Sequence, residues 1–399
     1  MPALLTMRNS AQVAFLEVLG SRRALQVEPG QEVMAGFLLV KAASDYRSGA
    51  SPNELGLDGI RAWIGNAEFP GAVHVMNALD SLEGEDDESL IEALMRFART
   101  LEGEALWELA GAIYRSLIRD SDPPGRINCL LRLWQVYLNC DALDRSSRAL
   151  RRAQALARKI GDRERELRAA LGQATLAIYR GDLLFAKRRA RRVLRLSRAR
   201  DFNDVVSRSF HVACHVAQQE REFRKAVLLA HEALRHCVDP RERDRILGDM
   251  AAALMGCGAL AIARDAYTTI AAEGKEALGR WTATLNLIEI ASLERDSIAF
   301  ETLRDQLAGQ WLSPMYAAYQ QLNLGMGFRR FGRLELAAEH LKNALSQAAE
   351  HGWPRIMEEA RDELANLNAP VPETPRAEPG LFPQVEETLR SLRSSSVEA

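Results

Sequence analysis

The chain has 399 residues, of which 47% are hydrophobic, and a formal net charge of −2. It is long for one compact domain and can bury a large core. It contains no apolar run of about 18 residues, as a membrane-spanning helix needs. The first residues, MPALLTMRNS, lack the basic and then apolar pattern of a signal peptide. Five scattered cysteines argue against a disulfide framework. We therefore expect a cytoplasmic protein.

The hydrophobic pattern predicts helices along almost the whole chain. Apolar residues recur at three- and four-residue spacing from about residue 9 to residue 367, and no segment alternates as a strand does. Turn-forming stretches such as DPPG, KIGD, YRGD and RFGR interrupt this pattern about every 15–20 residues. The expected fold is all-α, built from short and regularly punctuated helices. Such a chain invites a search for internal repeats.

The clearest repeat unit is LNLGMGFRRFGRLELAAEHLKNAL, residues 322–345. It resembles a tetratricopeptide repeat, a helix-turn-helix unit with small residues where its two helices touch. The residues that carry this resemblance are Leu324, Gly325, Phe328, Gly332, Ala337, Leu341 and Ala344. In such a unit Gly325 lets the second helix approach the first, and Ala337 and Ala344 keep the buried stripe of the second helix thin.

The spacing of small and apolar residues in that second helix recurs upstream. The matching triplets are Ala72/Met76/Leu79, Ala110/Tyr114/Leu117, Ser146/Leu150/Ala153, Ala186/Ala190/Val193, Ala226/Ala230/Ala233, Ala263/Tyr267/Ile270 and, less well, Phe300/Arg304/Leu307. Steps of about 36–40 residues exceed the tetratricopeptide period of about 34, so hairpins of the HEAT type, with periods of about 40, remain an alternative.

The predicted fold is a right-handed α-solenoid of about eight tetratricopeptide-like hairpins with a helical N-terminal cap. Residues 1–50 form the cap, 51–368 the solenoid, 369–383 a proline-rich linker, and 384–399 a C-terminal helix and tail. That last helix is expected to fold back and cap the solenoid or to reach a partner.

The stretch SFHVACHVA raises the question of a metal site, because His211 and His215 share one helical face beside Cys214. We expect no metal, since no carboxylate or second Cys/His pair stands at ligand spacing nearby in the sequence. The expected role of the histidines is to hydrogen-bond a partner or water, while Cys214 packs between helices.

Two other stretches resemble catalytic or cofactor-binding motifs but do not meet the geometric requirements of those motifs. In HEALRH, His231 and His236 are five residues apart and lie about 140° apart on a helix, so they cannot share a metal. The G-x-G-x-x-A match at residues 256–261 follows a helix rather than a strand, and Gly258 is interpreted as a turn glycine. We expect a protein that is not an enzyme and needs no cofactor.

The resemblance also implies a partner-binding groove lined by first helices. Its positions carry over to Asn128, Arg132, Gln135, Asn139, Arg168, Thr175, His211, His215, Gln218, Gln219, Arg245, Asn323, Arg329 and Arg330. Amide and arginine side chains suit extended peptide backbone and carboxylates. The expected function is therefore a protein-interaction adaptor or regulatory module that binds a protein or peptide segment. An alternative is the peptide-sensing part of a bacterial transcriptional regulatory system.

Charge is distributed unevenly along the chain. Residues 145–200 carry 18 Arg or Lys against four Asp or Glu, whereas residues 80–108 carry ten Asp or Glu against two Arg. The resemblance puts the following arginines on the outer face of second helices: Arg148, Arg151, Arg152, Arg188, Arg191, Arg192 and Arg195. A solvated outer face is the first interpretation, followed by a surface for an acidic partner and then by a nucleic-acid site. The acidic and basic regions could also pair between molecules in a homo-oligomer.

Overall fold

The structure, a computed structural model, describes residues 31–47, 49–51, 54–64, 71–308, 312, 314–371 and 381–397. Residues 1–30 of the expected cap and 372–380 of the expected linker lie outside this range. The described helices are α1 (Gln31–Arg47), α2 (Leu57–Ile64), α3 (Ala72–Glu83), α4 (Asp87–Gly103), α5 (Trp107–Leu117), α6 (Pro123–Asn139), α7 (Leu143–Lys159), α8 (Arg163–Tyr179), α9 (Leu183–Arg198), α10 (Asn203–Gln219), α11 (Phe223–Arg235), α12 (Pro240–Gly256), α13 (Leu260–Glu273), α14 (Ala277–Leu293), α15 (Ser297–Leu307), α16 (Pro314–Arg330), α17 (Leu334–His351), α18 (Pro354–Ala365) and α19 (Pro383–Val397).

The helices belong to two compact units that meet in sequence between Gly181 and Asp182. In the N-terminal unit each helix from α3 to α8 contacts the next, and in the C-terminal unit the same holds from α9 to α15 and from α16 to α18. The described ranges contain no strand. This succession of neighbouring helices confirms the predicted class, an all-α solenoid of tetratricopeptide-like hairpins. Among the described helices, none combines the length and the apolar character needed to cross a bilayer.

The repeated triplets fall on alternate helices, as the spacing predicted. They lie on α3, α5, α7, α9, α11, α13, α15 and α17, which are therefore the second helices of the hairpins. Their side chains are buried except at Ala72, Met76 and Arg304, which are half-buried. Two of these exceptions belong to the first triplet and one to the weakest. The small-residue stripe thus marks where each second helix packs.

A close approach between paired helices explains the glycine of the repeat. A Cβ atom on Gly325 of α16 would lie 2.6 Å from Leu341 Cγ on α17. A side chain at this position would therefore push the two helices apart. Cys214 occupies the equivalent place on α10 and is fully buried, which confirms its predicted packing role. Leu341 fills the space next to Gly325 and is likewise fully buried.

The turns between helices reuse one backbone geometry. Gly332 has φ +75°, and the following Arg333 N–H donates to Phe328 O over 2.9 Å. This six-residue closure is the Schellman arrangement, which satisfies carbonyl groups at a helix end. Gly258, between α12 and α13, has the same φ of +75°. Its interpretation as a turn glycine is confirmed.

The C-terminal helix α19 folds back, but not onto the end of the helical array. Phe382, Val385 and Leu389 are buried in the core of the C-terminal unit, and α19 contacts α13. His231 Nε2 on α11 lies 2.9 Å from Thr388 Oγ1 on α19. The helix that packs on α17 is instead α18, and its Ile356 is buried in their shared core. The last helix was expected either to fold back and cap the solenoid or to reach a partner. In the structure it folds back and packs along the second helices α11 and α13.

The register of the repeats predicts opposite effects of two substitutions. Ala226 on α11 is fully buried, so Ala226→Leu should overpack the hairpin and lower the free energy of unfolding by about 1–3 kcal/mol. Arg192 on α9 is exposed, so Arg192→Leu should change it by less than about 0.5 kcal/mol. Urea denaturation of both variants measures the difference. A larger loss at Arg192 would contradict the register.

Candidate functional site

The expected groove residues lie on α6, α8, α10, α12 and α16, which are all first helices. Asn139 and Gln219, in the last turns of α6 and α10, are exposed. His211 and Arg329 are buried, and the other groove residues are half-buried. The structure therefore puts the predicted residues on the predicted set of helices, while their exposure to a partner differs from one residue to the next.

In the N-terminal unit, the groove side chains contact neighbouring repeats. Arg165 Nε donates to Asn128 Oδ1 over 2.9 Å, across the 37 residues that separate them. Arg132 lies 3.7 Å from Glu102, a buried carboxylate that also accepts from Tyr114 Oη at 2.5 Å. One member of the acidic stretch 80–108 is therefore an internal acceptor rather than a surface charge.

In the C-terminal unit, the groove arginines also have internal partners. Arg245 Nη2 lies 2.9 Å from Glu276, and Arg329 Nη1 lies 2.7 Å from Glu363. Arg330 Nη1 donates to Ser292 Oγ over 2.8 Å. We expected these arginines to bind carboxylates of a partner, and the structure shows each of them engaged by a side chain of the same chain. The physical reason is that first helices of successive repeats lie side by side.

The two histidines form the centre of a polar cluster between α10 and α12. Asp249 Oδ2 on α12 lies 2.7 Å from His211 Nε2 and 2.8 Å from His215 Nε2. The two Nε2 atoms are 3.2 Å apart. Behind them His211 Nδ1 lies 3.1 Å from Glu242 Oε1, and Arg208 Nη1 donates to Glu242 Oε2 over 2.9 Å. We name these five residues the His–Asp cluster.

The neighbours of each group in the His–Asp cluster shift its pKa. Burial alone would lower the pKa of His211, but hydrogen bonds to Asp249 and Glu242 outweigh it and raise the pKa to about 9. Burial would raise the pKa of Glu242, yet the Arg208 and His211 charges hold it well below its usual range. The pKa of Asp249 is also lowered, because His215 and His211 outweigh burial. The carboxylates therefore keep their negative charge inside the unit.

The cluster is only partly closed to solvent. The His211 side chain is 11% exposed, whereas those of His215 and Asp249 are 30% and 35% exposed. Gln218 Nε2 donates to the main-chain oxygen of Asp249 over 2.7 Å, which fixes the backbone next to the carboxylate. Cys214 points into the core and lies outside the group of converging atoms. A small ligand or ion can therefore approach His215 and Asp249 from one side.

Sequence analysis did not identify Asp249 and Glu242 as neighbours of the histidines. The expectation of no metal rested on finding no such carboxylate. No carboxylate stands at ligand spacing from the histidines along the chain, but Asp249 is 34 residues after His215 and Glu242 is 34 residues after Arg208. That separation is about one helical turn less than the repeat step, which is 37 residues from Ala226 to Ala263. Searching for ligands one repeat away, rather than a few residues away, would have found both carboxylates.

The histidines of HEALRH lie apart, as predicted. His231 contacts Thr388, whereas His236 stacks on Phe210 with ring centroids 6.0 Å apart. The two rings therefore serve different contacts.

The outer arginines are exposed. Arg148, Arg151 and Arg152 lie on α7 in the N-terminal unit, and Arg188, Arg191, Arg192 and Arg195 lie on α9 in the C-terminal unit. Within the described ranges none of these side chains pairs with a carboxylate, in contrast to the groove arginines. The use of this basic surface by a partner stays a prediction.

Comparisons with known proteins give only distant resemblances. No protein-family model matches the chain, and no curated protein matches it. Among solved structures, a Rap protein complexed with Competence and Sporulation Factor is 12% identical, with a TM-score of 0.46, over 83% of this chain and 97% of that one. The apo form of RapI is 14% identical, with a TM-score of 0.42, over 92% and 97%. PilF of Pseudomonas aeruginosa is 15% identical, with a TM-score of 0.39, over 60% and 99%. At such scores the fold assignment rests on the helices of this chain itself.

The His–Asp cluster predicts a large effect of removing its arginine. Arg208→Met leaves the buried Glu242 without its closest cation and should lower the free energy of unfolding by about 3–5 kcal/mol. Arg195→Met makes the same change at an exposed position and should cost less than about 0.5 kcal/mol. Urea denaturation measures both. Equal midpoints for the two variants would show that the Arg208–Glu242 pair does not stabilise the unit.

Proposed function

We propose that this chain is a non-enzymatic protein-interaction module that binds an acidic segment of a partner protein on the outer face of α9. The observation that carries this proposal is a row of four exposed arginines, Arg188, Arg191, Arg192 and Arg195. Their spacing of three, four and seven residues puts them on one side of the helix. Arginine binds carboxylates by two parallel hydrogen bonds, so such a row suits an acidic protein segment.

The contrast with the first helices supports this choice of surface. Arg245 and Arg329 already contact Glu276 and Glu363. Using them for a partner would break an internal ion pair, and this cost would offset the new contact. Within the described part of the chain, Arg188, Arg191, Arg192 and Arg195 form no ion pair with a carboxylate. A partner carboxylate replaces water there and displaces no internal group.

Apolar side chains next to the arginines favour a protein over a nucleic acid. In the first turns of α9, Leu184 is 59% exposed and Phe185 is 42% exposed. The guanidinium carbon of Arg189 lies 5.4 Å from the centre of the Phe185 ring. Protein interfaces combine aromatic residues with arginine in this way. Single-stranded nucleic acid needs aromatic rings spaced along the basic groove, and within α9 Phe185 stands before the four arginines rather than between them.

The layer of first helices is a second candidate surface. The amide side chains of Asn139 and Gln219 are exposed at the ends of α6 and α10, one in each unit. An amide group both donates and accepts, so it suits the backbone of an extended peptide. This is the surface that a peptide adaptor or a peptide-sensing regulator would use.

Charge reversal on α9 tests the main proposal. The probe is a fluorescein-labelled twelve-residue peptide of alternating Glu and Leu, with a single-stranded twelve-nucleotide RNA in parallel. At about 0.15 M salt the triple change Arg188→Glu, Arg191→Glu and Arg192→Glu should weaken peptide binding about tenfold or more, because three attractive contacts become repulsive. Fluorescence anisotropy gives both affinities.

The matched control reverses Arg148, Arg151 and Arg152 on α7, which lacks an exposed apolar pair like that of α9. This variant carries the same net charge and should weaken the peptide about threefold or less through long-range electrostatics. An equal loss of peptide affinity in both variants would show that overall charge alone causes the effect, and it would contradict a binding site on α9. The RNA arm of the test has one outcome that would contradict a protein partner. In that outcome RNA binds more tightly than the peptide, stays bound at about 0.2 M salt and is lost on charge reversal of α9, which would indicate a nucleic-acid site.

A further inference from the structure

We propose that His211, His215 and Asp249 form a binding site for a divalent transition-metal ion that ties α10 to α12. The three ligand atoms are the two Nε2 atoms and one carboxylate oxygen. They converge from two helices of successive repeats and lie within 3.2 Å of one another. Two imidazoles and one carboxylate are a donor set that suits zinc, cobalt, nickel or iron, and that calcium and magnesium disfavour.

The distances admit an ion without rearrangement of the backbone. The triangle with sides of 3.2, 2.7 and 2.8 Å has a circumscribed circle of about 1.7 Å radius, which is smaller than a zinc–nitrogen bond of about 2.0 Å. A point therefore exists about 1 Å above the plane of the three atoms from which all three bond lengths are satisfied. On the histidine side, i,i+4 spacing on α10 brings the two rings to a centroid distance of 4.6 Å.

Groups behind the ligands are arranged as in protein metal sites. His211 Nδ1 lies 3.1 Å from Glu242 Oε1, so the ring can donate its Nδ1–H to this carboxylate when an ion displaces the proton that Nε2 shares with Asp249. Arg208 in turn holds Glu242 at 2.9 Å. Such a carboxylate–histidine pair fixes the tautomer and the ring orientation, and it is a regular companion of metal-binding histidine.

The partial exposure of His215 and Asp249 gives an ion a path in and leaves coordination positions open to solvent. Three protein ligands with open positions differ from the closed four-ligand sites that only stabilise a fold. An oxygen or nitrogen atom of a second molecule could fill a remaining position on the first-helix layer. The inference is independent of the proposal for α9, because it involves another face and another chemistry.

Zinc titration of the untagged full-length chain tests the site. After treatment with EDTA and dialysis, isothermal titration calorimetry should show one zinc ion per chain, and zinc should raise the melting temperature. His215→Ala and Asp249→Asn should each weaken zinc binding about a hundredfold, whereas Glu242→Gln should weaken it about tenfold to a hundredfold by misorienting His211. Cys214→Ser and His351→Ala are controls and should bind zinc as the parent chain does.

A measurement on the parent chain alone removes any dependence on how the variants fold. Zinc should shift the Nε2 resonances of two of the seven imidazoles in ¹⁵N-edited spectra, and magnesium in excess should shift neither. Binding of well under one zinc per chain, unchanged binding in His215→Ala and Asp249→Asn, or shifts confined to the other histidines would each overturn the proposal.

Discussion

The close contact between the two helices of a hairpin is the constraint on which the rest of the molecule depends. At Gly325 a single added carbon would lie 2.6 Å from Leu341 of the same hairpin, and at Gly172 on α8 one would lie 2.4 Å from Leu150 on α7 of the preceding hairpin. Packing this tight admits only glycine or other small residues on one of the two surfaces. It fixes how each hairpin is built and therefore makes successive first helices into neighbours.

Neighbouring first helices in turn decide where the charged side chains go. Residues separated by 31 to 38 positions face each other within a unit, as Asn128 and Arg165 or His215 and Asp249 do. Arginines and carboxylates at those positions neutralise one another between repeats. Burying one of these charges alone would be costly, so the pairs add specificity to the stacking of repeats as much as they add stability. The His–Asp cluster is an instance of this arrangement in which His211 and Glu242 are the most buried members.

Features set by packing between adjacent helices could be predicted from the sequence, whereas contacts between successive repeats could not. The triplets could be found because packing of second helices favours small or apolar residues at a fixed spacing, and Gly332 could be found because a left-handed turn favours glycine. Partners across repeats, such as Asp249 for His215, could not be found by local spacing, since their separation is set by the repeat step. The position of α19 could not be found either, because the repeat spacing does not extend to residues 383–397 and so indicates no partner helix for them.

Pairing between first helices also explains why the two helical layers differ as contact surfaces. Where Arg329 meets Glu363, a partner carboxylate would have to compete with one already held at 2.7 Å. On the second helix α9, Arg188 and Arg192 are exposed and have no carboxylate partner within the described part of the chain. In the C-terminal unit, contacts between first helices engage Arg245, Arg329 and Arg330, whereas the outer arginines of α9 stay available to a partner. Recognition of an acidic segment by the outer layer is therefore compatible with a rigid first-helix layer, and a metal ion at the His–Asp cluster would strengthen that rigidity further.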